Sequence, residues 1–120
     1  KNGIWYTYFS LAPITASMYV VYNSTGENLF TSVEGETSLK KALDYLFYYN
    51  QHPDEWKWFK NPNQGSSSSW PGNLFEALSG IYNEPVWAQY AEKSRPICYS
   101  RHHFAWSFPT LMPAKLNFNQ

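Results

Sequence analysis

The stretch Thr37 to Asn50, TSLKKALDYLFYYN, decides the fold class, because its apolar residues recur with the period of an α-helix. The spacing is i, i+3, i+4, i+7 and i+8, and the residues at these positions are Leu39, Ala42, Leu43, Leu46 and Phe47. Thr37 or Ser38 is a suitable N-cap. The sequence therefore predicts an amphipathic helix that buries this set and leaves its other face in solvent.

The other face of this helix carries Lys41, Tyr45 and Tyr48, spaced i, i+4 and i+7 on one stripe. A cation stabilises an anion, a phenol donates a proton, and an aromatic ring stacks on a sugar. The stripe is therefore a candidate functional surface. The alternative interpretation is a solvated face whose rings lie along the protein surface.

Three further helices are predicted, and no clear alternating strand pattern accompanies them. The segment Trp5 to Tyr22 is apolar nearly all round, which is typical of a core helix, and Pro13 is expected to kink or split it. A short helix is predicted for Asn73 to Tyr82, with Asn73 as its cap. Another opens at Pro85, since proline is favoured at the first helical position. The predicted fold is all-α.

The segments between these helices are long and polar. Residues 23–36 read as a loop, and so does the proline- and serine-rich segment from Gln51 to Gly72. The second of these contains Trp56 and Trp58, and flexible linkers lack such rings. We expect it to fold over the surface and bury some of them.

The aromatic content is the strongest compositional signal. Aromatic residues make up 20% of the 120 residues, with 6 Trp and 10 Tyr, and charged residues only 15%. A chain of this length forms at most one domain, residues 1–120, and cannot bury all these rings. Some rings are expected to line a groove, a protein interface or a carbohydrate site.

Charge and motif content argue against several classes of function. The 9 basic and 9 acidic residues give a net charge of zero, which argues against nucleic-acid binding. No apolar run is long enough to span a membrane. The histidines His52, His102 and His103 lack metal-ligand spacing, and no phosphate-binding glycine motif occurs, so we expect no metal and no cofactor.

Two further features bear on the location of the protein. Asn23-Ser24-Thr25 is an N-glycosylation sequon on a predicted surface turn, which favours a secreted glycoprotein. The single cysteine, Cys98, excludes an intrachain disulfide. It is predicted to be a buried apolar side chain or, alternatively, a bridge to a second chain.

Three carboxylates are available for a glycosidase pair. They are Asp54, Glu55 and Glu76. Glycoside hydrolysis uses two carboxyl groups on either side of the scissile bond. No spacing in the sequence selects a pair.

Three segments resemble the C-terminal half of the alginate lyase superfamily, the helical-toroid polysaccharide lyases. They are KNGIWYTYF, GETSLKKALDYLFYY and SSWPGNLFEALSGIYNEPVW, and the likeness covers roughly residues 1–112. In the first, an asparagine and Trp-Tyr begin a helix, and in the second, a basic residue precedes a tyrosine by seven positions. In the third, two late helices are separated by a short turn. The resemblance implies part of an (α/α) toroid or incomplete barrel, with long aromatic loops, which a longer chain or a second chain completes.

The resemblance also implies β-elimination on a uronate-containing acidic polysaccharide. In this family an asparagine and usually a histidine hold the carboxylate, and a tyrosine moves the proton. The corresponding catalytic residues are Asn2, Lys41 and Tyr48. Lys41 is expected to lower the pKa of Tyr48, so that the phenol can act as a base. Substrate would stack on Tyr45, Trp56 and Trp58.

The sequence departs from the family pattern at two places. Gly3 follows Asn2 where the family has a histidine, and Lys41 stands where arginine is usual. His102 and His103 are candidate substrate-binding residues, and either would supply the missing imidazole from another segment. The alternative interpretation is that one of them lines a polar pocket or bonds the backbone of its loop. A lysine acts as a point charge and cannot bind the substrate carboxylate through two parallel hydrogen bonds, as an arginine does.

Two other functions fit the same residues. A non-catalytic glycan-binding protein, or lectin, would use the surplus aromatic rings on the same helical scaffold. A structural subunit would bury them against a partner chain. Formation of an unsaturated uronate separates a lyase from both.

Overall fold

The computed structural model describes residues 3–31, 33–34, 37–52, 55–56, 72–97, 106, 109–111 and 113–116. The chain divides into two compact units, Lys1–Ser68 and Ser69–Gln120. The sequence prediction of one domain over residues 1–120, or of the end of a larger one, stays a prediction.

The described residues are mainly helical, which confirms the all-α prediction. The first unit contains helix α1 (Gly3–Thr25), strands β1 (Val33–Glu34) and β2 (Thr37–Ser38), and helix α2 (Leu39–Gln51). The second contains helices α3 (Gly72–Tyr82) and α4 (Pro85–Glu92). Within the described part of the chain, no helix combines the length and the apolar character needed to cross a bilayer.

Helix α1 runs through Pro13 without a break, so of the expected kink or split, the split does not occur. The ring of Pro13 lies on the exposed side of the helix. Two residues further on, the buried hydroxyl of Thr15 donates to the carbonyls of Leu11, at 2.8 Å, and Ala12, at 3.0 Å. Bonds to the carbonyls at i−3 and i−4 are usual for a threonine inside a helix, and here they satisfy a buried hydroxyl.

The buried residues of α1 form one stripe at i, i+3, i+4 and i+7, namely Tyr8, Leu11, Ala12 and Thr15. Large apolar side chains elsewhere on the helix are exposed, including Tyr6, Ile14 and Val20. The prediction of a helix buried all round is therefore wrong for the chain by itself. Apolar residues on every side do not show which side packs, because only the packing partner decides that.

The end of α1 lies later than the sequence predicts. Asn23, expected on a surface turn, is an exposed residue in the last helical turn. Gly26 ends the helix with a positive φ of 78°, and its N–H donates to the carbonyl of Tyr22 at 2.8 Å. Glycine is favoured at this position because it adopts left-handed φ without strain.

A short antiparallel strand pair precedes α2 and was not predicted. Val33 is paired with Ser38, and Glu34 with Thr37. Strands of two residues are too short to show an alternating pattern in the sequence. The pair brings Ser38 into an extended conformation, with φ −155° and ψ 159°, immediately before the helix begins.

Helix α2 is the element that the sequence describes best. Ser38 is its N-cap, and its hydroxyl accepts from the backbone N–H of Lys41 at 3.1 Å. Leu43 and Leu46, from the predicted apolar face, are buried, and α2 packs against α1. Its predicted polar face is exposed. The two faces thus lie as the helical period predicts.

Replacing Ser38 with alanine is expected to destabilise the first unit by about 1 kcal/mol, because the N–H of Lys41 loses its partner. Chemical unfolding of wild type and variant measures the difference. Ser38→Asp is the matched control, since a carboxylate also caps a helix and is expected to retain most of the stability. Equal stability of wild type and the alanine variant would contradict the capping role.

The second unit is built around α3, which is buried on nearly every side. Its apolar residues Leu74, Phe75, Ala77, Leu78 and Ile81 are all buried. The ring of Phe75 contacts that of Trp87 on α4, with centroids 5.1 Å apart.

Pro85 opens α4 as predicted. Asn83, between the helices, takes a positive φ of 52°, which asparagine tolerates.

Asn73 is not the N-cap that the sequence predicts. The helix already includes Gly72, and the buried side chain of Asn73 donates to the carbonyl of Trp106 at 3.0 Å. The backbone N–H of Ala114 donates to the carbonyl of Ala77 at 3.1 Å. The residues after α4 therefore cover α3, and they explain why so much of this short helix is buried.

Candidate functional site

The candidate site lies on the exposed face of α2. Lys41, Tyr45 and Tyr48, called here the α2 stripe, are all exposed, Tyr45 to 40% and Tyr48 to 44%. The stripe was predicted from helical spacing, and the structure places its three side chains in solvent.

Tyr48 is bound to a carboxylate that the sequence did not connect with it. Its hydroxyl donates to both oxygens of Glu55, at 2.9 Å each. Glu55 lies just beyond the end of α2, where its N–H donates to the carbonyl of His52 at 3.1 Å. This turn brings the carboxylate back to the face of α2 that carries the phenol.

His52 completes the cluster formed by Tyr48, His52 and Glu55, called here the Tyr48 cluster. Its ring stacks on that of Tyr48, with centroids 4.4 Å apart and planes 21° apart. Its backbone N–H caps α2 by donating to the carbonyl of Tyr48 at 2.8 Å, and its Nδ1 lies 3.0 Å from the same oxygen. A carbonyl only accepts, so Nδ1 donates in this contact, and in the tautomer that carries its proton there Nε2 is an acceptor.

The pKa of Tyr48 is raised above its ordinary value, first by the hydrogen bond to Glu55, then by burial and by the charges of Glu55 and Tyr49. The sequence predicted the opposite, a pKa lowered by Lys41. Lys41 lies seven residues earlier, roughly 10 Å along the helix axis. The carboxylate in direct contact outweighs the more distant cation, because Coulomb energy falls with distance.

Removal of the Glu55 charge is expected to lower the pH at which Tyr48 titrates. The folded-state pKa of Tyr48 is raised, so the hydrogen bond is fully present below the ordinary value near 10 and is lost as the pH rises through the raised value. In Glu55→Gln the pKa should return toward the ordinary value. An alkaline titration of ring-¹³C-labelled tyrosine by NMR measures it, with Tyr48→Phe identifying the signal. An unchanged Tyr48 titration would show that Glu55 does not hold the proton.

Trp56 does not present a stacking surface, which corrects the prediction that it binds sugar. It is buried, and its ring contacts those of Tyr49, with centroids 5.1 Å apart, and Tyr45, 5.9 Å apart. Tyr45 and Tyr49 are themselves in edge contact, with centroids 4.9 Å apart. Partial burial, followed by the charge of Tyr49, raises the pKa of Tyr45. Trp56 thus supports Tyr45 from beneath, and Tyr45 stays a candidate substrate contact.

Glu76, in the second unit, is part of a buried polar network. Its Oε2 accepts from Arg95 Nε at 2.6 Å and from the Thr110 hydroxyl at 3.1 Å, and its Oε1 accepts from Arg95 Nη2 at 2.9 Å. The Thr110 hydroxyl oxygen also accepts from the N–H of Ile97 at 2.9 Å. The hydrogen bond to Glu76 raises the pKa of Arg95. Since both oxygens of Glu76 are engaged, this carboxylate fits a structural role better than an acid–base role.

Several predicted site residues lie outside the described residues: Asn2, Trp58, His102 and His103. The same holds for Cys98 and Asp54. Among the residues that the structure does describe, no three His, Cys, Asp or Glu side chains come together as a metal site.

The sequence contained a signal for one of the two missed partners of Tyr48. His52 follows Tyr48 by four positions and Tyr45 by seven, so helical spacing places it on the same face. Glu55 had no such signal, because the helix ends before it and the turn that redirects the chain is not periodic.

Comparison with protein-family models, with curated proteins and with solved structures finds no match to this chain. The resemblance to helical-toroid lyases therefore rests on the three sequence segments quoted above.

Proposed function

We propose that this chain is part of a helical-toroid polysaccharide lyase that cleaves a uronate-containing acidic glycan by β-elimination. The helices described above would be part of an (α/α) toroid or incomplete barrel. The all-α composition supports this proposal, as do two helix pairs of the kind that a toroid repeats, α1 with α2 and α3 with α4.

The observation that carries the proposal is the Tyr48 hydroxyl, which is exposed and yet fixed in direction. Both oxygens of Glu55 accept from it at 2.9 Å, and the ring of His52 stacks against its own. A proton-transfer group must be held in a defined position at a surface that substrate can reach. Tyr48 meets both requirements.

Tyr48 is better suited to donate a proton than to remove one. The phenol is protonated at neutral pH, because its pKa lies above the ordinary value near 10, so it has a proton to give and does not act as the base. As the C5 proton leaves, its electron pair forms the C4–C5 double bond, the C4–O bond breaks, and the leaving oxygen takes the proton of Tyr48. His52 fits the accompanying base, because its Nε2 is left as an acceptor beside the phenol. Lys41, with Asn2, would offset the charge that develops on the uronate.

Incubation of the intact protein with uronic-acid polymers tests the proposal. Each elimination leaves an unsaturated uronate, which is measured by its ultraviolet absorbance and by the mass of the product. We expect product to appear with time and with enzyme concentration. The absence of unsaturated product from every uronic-acid polymer would remove the lyase proposal.

A lectin is the second candidate, and the Tyr48–Glu55 contact favours it too. An exposed ring beside a carboxylate binds a sugar by stacking and by accepting hydroxyl hydrogen bonds, with no proton transfer required. Retention of glycan without any unsaturated product distinguishes the lectin from the lyase.

The proposal includes a secreted glycoprotein whose fold is completed by a further segment or a second chain. The exposed position of Asn23 supports glycosylation, because the transferase must reach the side chain. The exposed apolar residues Tyr6, Ile14 and Val20 of α1 support a covering partner. The zero net charge supports a partner other than nucleic acid.

A further inference from the structure

Tyr48 combines two features that favour one-electron oxidation, exposure to solvent and a base bound to its hydroxyl. Its side chain is 44% exposed, and both oxygens of Glu55 accept from its hydroxyl at 2.9 Å. A phenol that loses an electron becomes a strong acid, so its proton has to leave in the same event. A carboxylate in contact takes that proton more readily than water does, because it is the stronger base.

The chain contains 10 Tyr, so a preference for one of them needs a local cause. Tyr6 is 55% exposed, more than Tyr48, and Tyr45 is 40% exposed. Within the described part of the chain, neither of these two hydroxyls has a carboxylate partner, and their rings contact Phe9 and Tyr49 respectively. Exposure alone would favour oxidation of Tyr6. The bound carboxylate favours Tyr48.

A series of rings in contact leads from the interior of the first unit to Tyr48. The centroids of the buried Trp56 ring and the Tyr49 ring are 5.1 Å apart, and those of Tyr49 and Tyr48 are 5.2 Å apart. Electrons exchange rapidly between aromatic rings in contact. An electron removed from Trp56 can therefore be replaced from Tyr48, and the loss of the Tyr48 proton to Glu55 keeps the radical there.

We infer that Tyr48 is a redox-active tyrosine, at which one-electron oxidation of the first unit ends and from which the chain is cross-linked to a second phenol. The oxidant is of the peroxide class, hydrogen peroxide acting through a peroxidase. It removes one electron from Tyr48 as the phenol O–H bond breaks and the proton passes to Glu55. This activity does not depend on the proposed β-elimination.

The cross-link forms when two phenoxyl radicals join through ring carbons ortho to their oxygens. Each ring then loses the hydrogen on that carbon as a proton, and each oxygen regains a proton. In total, two phenols lose two electrons and two protons. These reduce hydrogen peroxide to two molecules of water.

Limited oxidation of the intact protein with an excess of N-acetyltyrosine amide, as the second phenol, tests the inference. Photogenerated tris(bipyridine)ruthenium(III), with persulfate as terminal oxidant, replaces the peroxidase, because this small oxidant needs no docking site on the protein. Peptide mapping by mass spectrometry measures the share of cross-linked probe at each tyrosine. We expect Tyr48 to have the largest share in the first unit, although Tyr6 is more exposed. A share at Tyr6 equal to that at Tyr48 would overturn the inference.

Glu55→Gln is the decisive variant, because glutamine still accepts a hydrogen bond from the phenol but is not a base. The ratio of the Tyr48 share to the Tyr6 share should fall about tenfold, less than for a general base in an active site, since water also takes protons from an exposed hydroxyl. Glu27→Gln is the matched control, because it removes the same charge at an exposed position beyond α1 and should preserve the ratio. An unchanged ratio in Glu55→Gln, or an equal fall in Glu27→Gln, would overturn the inference.

Tyr48→Phe tests the route from the interior. The phenylalanine ring keeps the contact with Tyr49, but an electron removed from Trp56 is no longer replaced from a phenol bound to Glu55. Without added probe and in air, oxygenated products of Trp56 should increase in this variant and not in Tyr6→Phe. Equal yields of these products from the two variants would overturn the conclusion that oxidation of the first unit ends at Tyr48.

Discussion

Replacement of Tyr48 with phenylalanine is expected to reduce turnover of a uronate polymer by about 10²- to 10⁴-fold, the range for one general acid–base group. The phenylalanine ring keeps the contacts with Tyr49 and His52 and loses only the hydroxyl that Glu55 holds. Because Tyr48 lies on an exposed face, the fold should persist. The hydroxyl acts on the transition state and contributes little to binding of the substrate before reaction. We therefore expect kcat and kcat/KM to fall by the same factor.

The measurement compares steady-state rates of unsaturated product, with circular dichroism to confirm that the variant is folded. Tyr19→Phe is the matched control, since it removes the same atom from α1, where the ring stacks on that of Tyr22. We expect that variant to keep its turnover. Full activity of Tyr48→Phe in a working lyase would assign the proton transfer to another residue.

Replacement of Arg95 with methionine is expected to destabilise the second unit by about 3 kcal/mol, the low end of the range for breaking a buried ion pair. The side chain of Glu76 is only 7% exposed, whereas that of Arg95 is 38% exposed. Loss of the arginine therefore leaves a carboxylate in the interior with the Thr110 hydroxyl still donating to it. Most of the expected loss in the free energy of unfolding comes from burying this charge without its counter-ion.

The two partners differ in exposure, so substitution of Glu76 is the control for substitution of Arg95. Glu76→Gln should cost less than Arg95→Met, because the guanidinium left behind reaches solvent and the amide still accepts from Thr110. Arg95→Lys should lie between, since it keeps the charge and loses the fork that binds both oxygens. Denaturant unfolding followed by tryptophan fluorescence measures all three, as Trp87 is buried on α4. A larger cost for Glu76→Gln than for Arg95→Met would contradict this account.

Helix α2 is the element whose position and buried face the sequence predicted most completely. Its apolar period predicted the buried Leu43 and Leu46 and the exposed Tyr48, which are confirmed, and Ser38 is the one of the two candidate caps that the structure uses. Local rules suffice here, because a helix presents residues i, i+3 and i+4 on one face whatever it packs against. The proline that begins α4 was also predictable from a local rule, the preference for proline at the first helical position.

The errors occur where a residue's partner is distant in the sequence or lies beyond a helix end. Asn73 has the residue type of a cap, but its amide bonds the carbonyl of Trp106, 33 residues later. Trp56 was expected to meet a ligand, and instead it packs beneath Tyr45 and Tyr49. Residue preferences for caps or for exposed positions reflect only the neighbouring sequence. These contacts depend instead on how the folded chain brings the two residues together.

The sequence by itself determined the helical class, the position of α2 and the identity of the exposed stripe, because these follow from periodicity and capping within a few residues. Only the tertiary structure decided the chemistry of the stripe. It placed Glu55 on Tyr48 through a non-periodic turn, and so it raised the pKa that a cation had been expected to lower. A charge in contact outweighs one roughly two helical turns away, and contact is a property of the folded chain.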